Sequence, residues 1–114
     1  MNNTFTDNNK NKQTTVTYDQ NTDIIHISCI YSEDNDSMCT LKRVFKADIK
    51  REHIMLPDMF SMNSIYEMMR ESLISNTCTF TNIKNTDELL ISFFIKSKYF
   101  ETSFNVTLFC VYND

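Results

Sequence analysis

Apolar and polar residues alternate along several stretches of this chain, which is the pattern of strands that pack one face on a core. The first clear stretch covers residues 23–31, with Ile25 and Ile27 on its apolar side. Shorter segments with the same alternation predict further strands at residues 14–18, 38–47 and 77–81. These patterns predict a sheet with one covered face.

Two more predicted strands close the chain, at residues 87–96 and 103–112. The second alternates, whereas the first is apolar on both faces, so each of its faces needs cover. We predict that one face meets a helix through Leu89, Ile91, Phe93 and Ile95. Leu90 and Phe94 on the other face either meet a second sheet layer or form a surface for a partner.

Between these strands the apolar period changes to that of a helix. Ser64 and Glu67 match the Ser-x-x-Glu capping box that starts many helices. Apolar residues then follow at helical spacing, at Ile65, Met68, Met69 and Leu73. The predicted fold class is therefore α+β, with mostly antiparallel strands in two meanders and one main helix, at about residues 61–75, inserted between them.

The domain organisation follows from length and from the polar start of the chain. Residues 1–13 are rich in Asn, Thr and Lys and are predicted to form a polar, flexible N-terminal tail. Residues 14–114 then form a single α+β domain, which is long enough to bury a core of its own.

Composition excludes the common nucleotide-binding sites. The chain contains no glycine, and phosphate-binding loops, dinucleotide-binding turns and nucleophile elbows all depend on glycine. The four cysteines, Cys29, Cys39, Cys78 and Cys110, contain no closely spaced pair, so they do not predict a metal site. We expect reduced core thiols and no cofactor or metal, with a secreted disulfide framework as the alternative.

Catalytic residues are not evident either. His26 and Cys29 lie on opposite faces of one predicted strand, so they cannot act as a nucleophile and its base. We predict that the protein is not an enzyme. The alternative is a small enzyme or ligand-binding domain whose site is built from scattered residues such as His26, His53 and Cys78.

The net charge of −4 disfavours binding to nucleic acid or to an anionic membrane. One basic segment is an exception, and it supplies candidate anion-binding residues at Lys42, Arg43, Lys46, Lys50 and Arg51. The alternative for this segment is an ordinary solvated face.

Methionine is concentrated in the predicted helix and the residues before it, and methionine side chains adapt well to irregular binding grooves. We predict partner-binding residues at Met59, Phe60 and Met62, together with Leu90 and Phe94. Packing in the core is the alternative for the methionines. A Met62→Glu substitution separates the two, because it is tolerated at an exposed contact and costs about 2–5 kcal/mol in a core.

The N-terminus has no apolar signal segment, and no stretch is long enough to span a bilayer. The sequence therefore predicts an intracellular, cytoplasmic protein without a membrane span.

The order of elements resembles the globular head domain of the superfamily that contains centriole cartwheel scaffolds and DNA end-joining scaffolds. The matching positions are Phe45 to Ile49, Met59 and Phe60, Ser64 to Glu67, Leu89 to Ile91, and Val106 to Leu108. The resemblance implies dimerisation or oligomerisation through sheet and loop surfaces; the coiled coil that follows such heads is not part of this sequence. Together with the surplus of apolar strand surface, it predicts a noncatalytic interaction or structural module that self-associates or belongs to a larger assembly.

Overall fold

A computed structural model describes residues 2–34, 40–82, 87–96 and 98–113 of the chain. These residues form seven strands, one α-helix and a short 3₁₀ turn at Arg51–His53. The elements are β1 (Asn2–Asn9), β2 (Lys12–Asp19), β3 (Ile24–Asp34), β4 (Thr40–Ile49), α1 (Met62–Ile74), β5 (Thr79–Asn82), β6 (Glu88–Lys96) and β7 (Glu101–Asn113).

All seven strands belong to one half-barrel sheet with the order β1-β2-β3-β4-β7-β6-β5. Each neighbouring pair is antiparallel, and β4 lies beside β7, which joins the N-terminal strands to the C-terminal ones. The predicted α+β class, the mostly antiparallel sheet and the helix at about residues 61–75 are confirmed.

The helix fills the concave inner face of the sheet. Ile65 and Met69 of α1 and Leu89, Ile91 and Phe93 of β6 are all at most 1% exposed. The predicted helix-facing side of β6 is therefore covered, and Ile95 completes it as a half-buried residue. Each fully buried side chain of this size contributes about 1.5–3 kcal/mol, so this interface supplies much of the stability.

The helix begins one turn before the predicted cap. Ser61 is the N-cap residue, and its hydroxyl accepts a hydrogen bond from the Ser64 N–H at 3.1 Å. Ser64 therefore lies inside the first turn, and the predicted Ser64–Glu67 capping box is wrong. The chain has two serines three residues apart, and either can cap a helix, so the local pattern alone does not choose between them.

The N-terminal segment forms a strand where the sequence predicts a tail. β1 pairs with β2 along its whole length, from Asn2 opposite Asp19 to Asn9 opposite Lys12. β1 is polar on its outer side because it is an edge strand, and Phe5 alone on its inner side packs against the core. A strand with one large apolar residue carries little alternation, and this is why the sequence pattern did not reveal it.

Arg51 organises the loop between β4 and α1. Its guanidinium donates hydrogen bonds to the backbone carbonyls of Ile54, Leu56, Pro57 and Phe60 at 2.7–3.0 Å. A guanidinium offers five N–H donors in a fixed plane, so one side chain satisfies four carbonyls at once. This arrangement fixes the loop that leads into the helix.

Candidate protein-interaction surface

The outer face of the sheet turns toward solvent at its C-terminal strands. The α-helix of the described residues packs on the inner face, and the outer side of β6 stays accessible. Phe94 is 41% exposed and Leu90 is half-buried, whereas Phe93, which precedes Phe94 and faces the inner side, is fully buried. Leu90 and Phe94 are therefore not covered as the inner residues are.

Apolar side chains gather on this outer face where β4, β7 and β6 run side by side. Phe109, Val111 and Tyr112 of β7 are 55%, 59% and 51% exposed. Val44 of β4 and Leu90 of β6 are half-buried on the same face, with Leu90 opposite Thr107 and diagonal to Phe109. Residues directly opposite each other in an antiparallel pair point to the same face, and Val44 lies opposite Tyr112. We call these five apolar residues the outer-face patch.

A β-bulge contributes to the patch. The β4–β7 register shifts between Val44 and Phe45, so that Val44 lies opposite Tyr112 and Phe45 opposite Cys110. Val111 is the extra residue on β7. A bulge bends its strand and re-aims side chains, and here Val111 and Tyr112 are both exposed as successive residues.

Charged residues flank the centre of the patch. Lys46 on β4, Phe109 on β7 and Glu88 on β6 lie directly opposite one another across the three strands. All three side chains are exposed. We call this line the central row; it carries a positive charge at one end and a negative charge at the other. Arg43 is adjacent to Val44 on β4 and therefore belongs to the opposite face, where it lies 3.8 Å from Asp87 in an ion pair.

The same outer face is polar on β1, on β2 and at the middle of β3, whereas Ile24 and Ile30 on the outer side of β3 are apolar and half-buried. Two pairs of hydroxyls lie 3.1–3.2 Å apart across β1 and β2, in Thr4–Thr17 and Thr6–Thr15. His26 Nδ1 on β3 lies 2.6 Å from Asp48 Oδ1 on β4. We call these six residues the polar half of the outer face. Its hydroxyl, imidazole and carboxylate groups are readily solvated.

The scattered residues of the alternative catalytic site are not brought together. His26 lines a hollow of about 230 Å³ on the polar half, and His53 lines a separate cleft of about 340 Å³ between β4 and β7. Cys78 lines neither. Burial raises the pKa of the Cys78 thiol, which reduces its thiolate fraction and its reactivity.

His53 has a local structural contact. Its Nδ1 accepts a hydrogen bond from the backbone N–H of Lys50 at 3.1 Å. The neutral ring therefore carries its proton on Nε2.

Burial raises the pKa of the Cys29 thiol, as it does that of Cys78. Cys29 is fully buried and accepts a hydrogen bond from the Thr14 hydroxyl. Cys29 and His53 therefore have structural contacts at their positions.

The predicted anion-binding residues do not form one surface. Lys42 and Lys46 lie on the outer face, and Lys50 is exposed just after β4. Arg43 extends over the ring of Phe45 at 4.8 Å and toward Asp87. The donors of Arg51 bind loop carbonyls, so the prediction that Arg51 binds an anion is not supported by its position.

The predicted partner-binding residues of the helical segment separate in the same way. Met59 is 80% exposed, but Met62 is 3% exposed and belongs to the core. Its prediction as an accessible contact is wrong, because Met62 opens α1 on the side that faces the sheet. Phe60 is half-buried, with its ring centroid 6.2 Å from that of Phe100. Met59 and Phe60 lie near the tip of the β6–β7 hairpin, away from the outer-face patch.

Within residues 2–34, 40–82, 87–96 and 98–113, no cluster of three or more His, Cys, Asp or Glu side chains is placed to hold a metal ion. Over the same residues, no helix has both the length and the apolar character needed to cross a bilayer. Cys39 lies outside the described residues.

Four residues of the outer-face patch were not predicted from the sequence, namely Val44, Phe109, Val111 and Tyr112. A signal existed, because Phe109 falls on the side of its strand that also carries Asn105 and Thr107. An aromatic residue on an otherwise polar side of a strand indicates either that another part of the chain covers it or that it contacts a partner. The direct neighbours of Phe109 on β4 and β6 are the charged Lys46 and Glu88, and only the strand pairing shows that the apolar Val44 and Leu90 lie diagonally from it.

Comparison with known proteins found no matching family model, no matching curated protein and no matching solved structure.

Proposed function

We propose that this protein is a noncatalytic interaction module that contacts another protein through the outer-face patch. The observation that carries the proposal is the exposure of Phe109, Val111 and Tyr112 side by side on a sheet whose other face already holds the core. Exposed clusters of this kind are typical of protein contacts. Aromatic side chains are also enriched among the residues that dominate binding energy.

The polar half strengthens the argument. It belongs to the same sheet and the same face, and it is built from Thr4, Thr6, Thr15, Thr17 and the pair of His26 and Asp48. The outer sides of β1 and β2 therefore carry no large apolar residues. Exposed large apolar residues are instead concentrated on β7, and this concentration supports a role for them other than folding.

The proposal extends to a structural role within a larger intracellular assembly. The resemblance to the head domains of scaffold proteins supports this extension, because such heads associate through sheet and loop surfaces. The separation of His26 from His53 favours this role over the alternative of a small enzyme.

Site-specific photocrosslinking tests the proposal in cells that produce the protein. A photoreactive phenylalanine analogue at position 109 should yield covalent protein adducts, because the side chain lies at the centre of the proposed contact. The matched control carries the same analogue at Thr15, in the polar half, and should yield few. Equal adduct formation at the two positions, or none at position 109, contradicts the proposal.

A further inference from the structure

We propose that the partner bound by the outer-face patch is a second copy of this chain, in a face-to-face dimer with a two-fold axis along β7. This inference rests on the proposed function and names the partner. It comes from the order of the three residues in the central row, where the positively charged Lys46 and the negatively charged Glu88 lie on opposite sides of Phe109.

The central row is complementary to its own two-fold image. A face-to-face dimer has its axis in the plane between the two sheets, and an axis along β7 places the β4 side of one copy over the β6 side of the other. Lys46 of each copy then faces Glu88 of the other, and the two Phe109 side chains meet at the axis. Each dimer gains two Lys–Glu pairs around an aromatic centre.

The register makes this match specific. Phe109 lies directly opposite Lys46 on one side and directly opposite Glu88 on the other, so the three residues share one level along the strands. Neighbouring strands lie about 4.8 Å apart, which places both charged residues at similar distances from the axis. Packed sheets are about 10 Å apart, a gap that Lys and Glu side chains can span from the two sides.

Both charges are available for the contact. Lys46 and Glu88 are exposed, and neither has an ion pair with another residue among the described parts of the chain. By contrast, Lys96 of β6 and Glu101 of β7 lie 3.5 Å apart and pair within the chain. The opposite charges of the central row are separated by Phe109 and are left for a facing molecule.

The size of the patch sets the strength of the dimer. From β4 to β6 the patch spans only about 10 Å, so its area falls short of the roughly 800 Å² that each partner buries in a stable complex. We therefore expect a dimer whose population rises with protein concentration. Salt should weaken it, because the two ion pairs lie near the rim.

Charge reversal on the purified protein tests the two-fold symmetry of the proposed dimer. Lys46→Glu and Glu88→Lys each replace two attractive pairs with two repulsive ones, and each should raise the dimer dissociation constant about tenfold or more. The double variant Lys46→Glu/Glu88→Lys restores opposite charges across the axis and should return the constant to within about threefold of the original. Sedimentation equilibrium measures all four proteins.

Controls separate this geometry from a general effect of charge. Lys10→Glu and Glu71→Lys make the same changes at exposed positions in the β1–β2 turn and on α1, and they should leave the dissociation constant unchanged. Circular dichroism confirms folding. If a charge reversal unfolds the chain, the neutral variants Lys46→Gln and Glu88→Gln are used instead. Each should weaken the dimer by a smaller amount, and their effects on the binding free energy should add in the double variant.

The inference is overturned if the protein is monomeric at every soluble concentration. It is also overturned if the single charge reversals change the dissociation constant no more than the controls do, or if the double variant does not recover the original dissociation constant. These failures differ from failure of the proposed function. A monomer that still crosslinks through position 109 to a protein of different mass retains the interaction role and loses only the two-fold dimer. Absence of crosslinking at position 109 removes both.

Discussion

The inner and outer faces of the C-terminal strands are both apolar, but only the inner face is covered within the chain. Phe93 and Phe94 are neighbours of identical type, and they are 0% and 41% exposed. The inner residue stacks on Phe104 at a centroid distance of 5.3 Å beneath the helix. Apolar character alone therefore does not show what a residue does. Phe93 stabilises the fold on the inner face, whereas Phe94 on the outer face remains partly exposed to solvent.

The largest expected effect compares these neighbours directly. Phe93→Ala should lower the free energy of unfolding by about 3–5 kcal/mol, because it leaves a cavity in the core. Phe94→Ala should change it by less than about 1 kcal/mol, because much of the ring already contacts water. Urea denaturation measures both. Similar losses at the two positions would mean that the outer face is covered after all.

The loop that leads the helix onto the inner face offers the next test. Arg51→Met should lower the free energy of unfolding by about 2 kcal/mol, because four carbonyls lose a charged donor and only some of them regain water. Lys50→Met is the matched control, since Lys50 is exposed, and it should change stability by less than about 0.5 kcal/mol. A loss at Lys50 as large as that at Arg51 would show that charge, and not the carbonyl contacts, matters there.

The edge strand of the polar half gives a smaller, stabilising effect. Lys10 has a φ of 54° in the turn between β1 and β2, and this left-handed conformation strains residues with a side chain. Lys10→Gly should raise the free energy of unfolding by about 0.5–1 kcal/mol. Asn76 has a φ of 57°, but asparagine tolerates that region, so Asn76→Gly should gain less. Thermal unfolding compares the two, and an equal or greater gain at Asn76 would argue against strain at Lys10.

The smallest effect on stability is expected at the outer-face patch itself. Replacing Phe109 and Tyr112 with serine should change the free energy of unfolding by less than about 1 kcal/mol, because both side chains are about half exposed. The same variant should bind less of an apolar fluorescent dye than the original protein. Thr15→Ser in the polar half is the control, and it should leave dye binding as it was. Unchanged dye binding in the double variant would show that no apolar surface is offered there.

Local periodicity in the sequence predicted part of the fold. The helical period of Ile65, Met69 and Leu73 predicted the helix, and the alternation of Leu89, Ile91 and Phe93 predicted the covered face of β6. These predictions succeeded because a helix and a strand each repeat with a fixed period, so burial on one side leaves a regular trace. β1 left no such trace, since its single large apolar residue is Phe5.

The candidate site depended on contacts that no local pattern records. Val44, Leu90 and Phe109 are far apart in sequence and lie on three different strands, and they share one face because β4 and β6 both pair with β7. Met62 shows the reverse case. Its helical position is clear from the sequence, but whether it faced the core or a partner depended on how α1 lies on the sheet.

Periodicity predicted the helix, the α+β class and the covered side of β6, because it records which side of an element is apolar, but it did not reveal β1. The tertiary structure established which strands are neighbours and therefore which exposed residues form the outer-face patch. It also placed Lys46, Phe109 and Glu88 in one row. The physical reason is that strand order and register arise from long-range pairing and packing, which involve residues too distant in the chain to share a common local pattern.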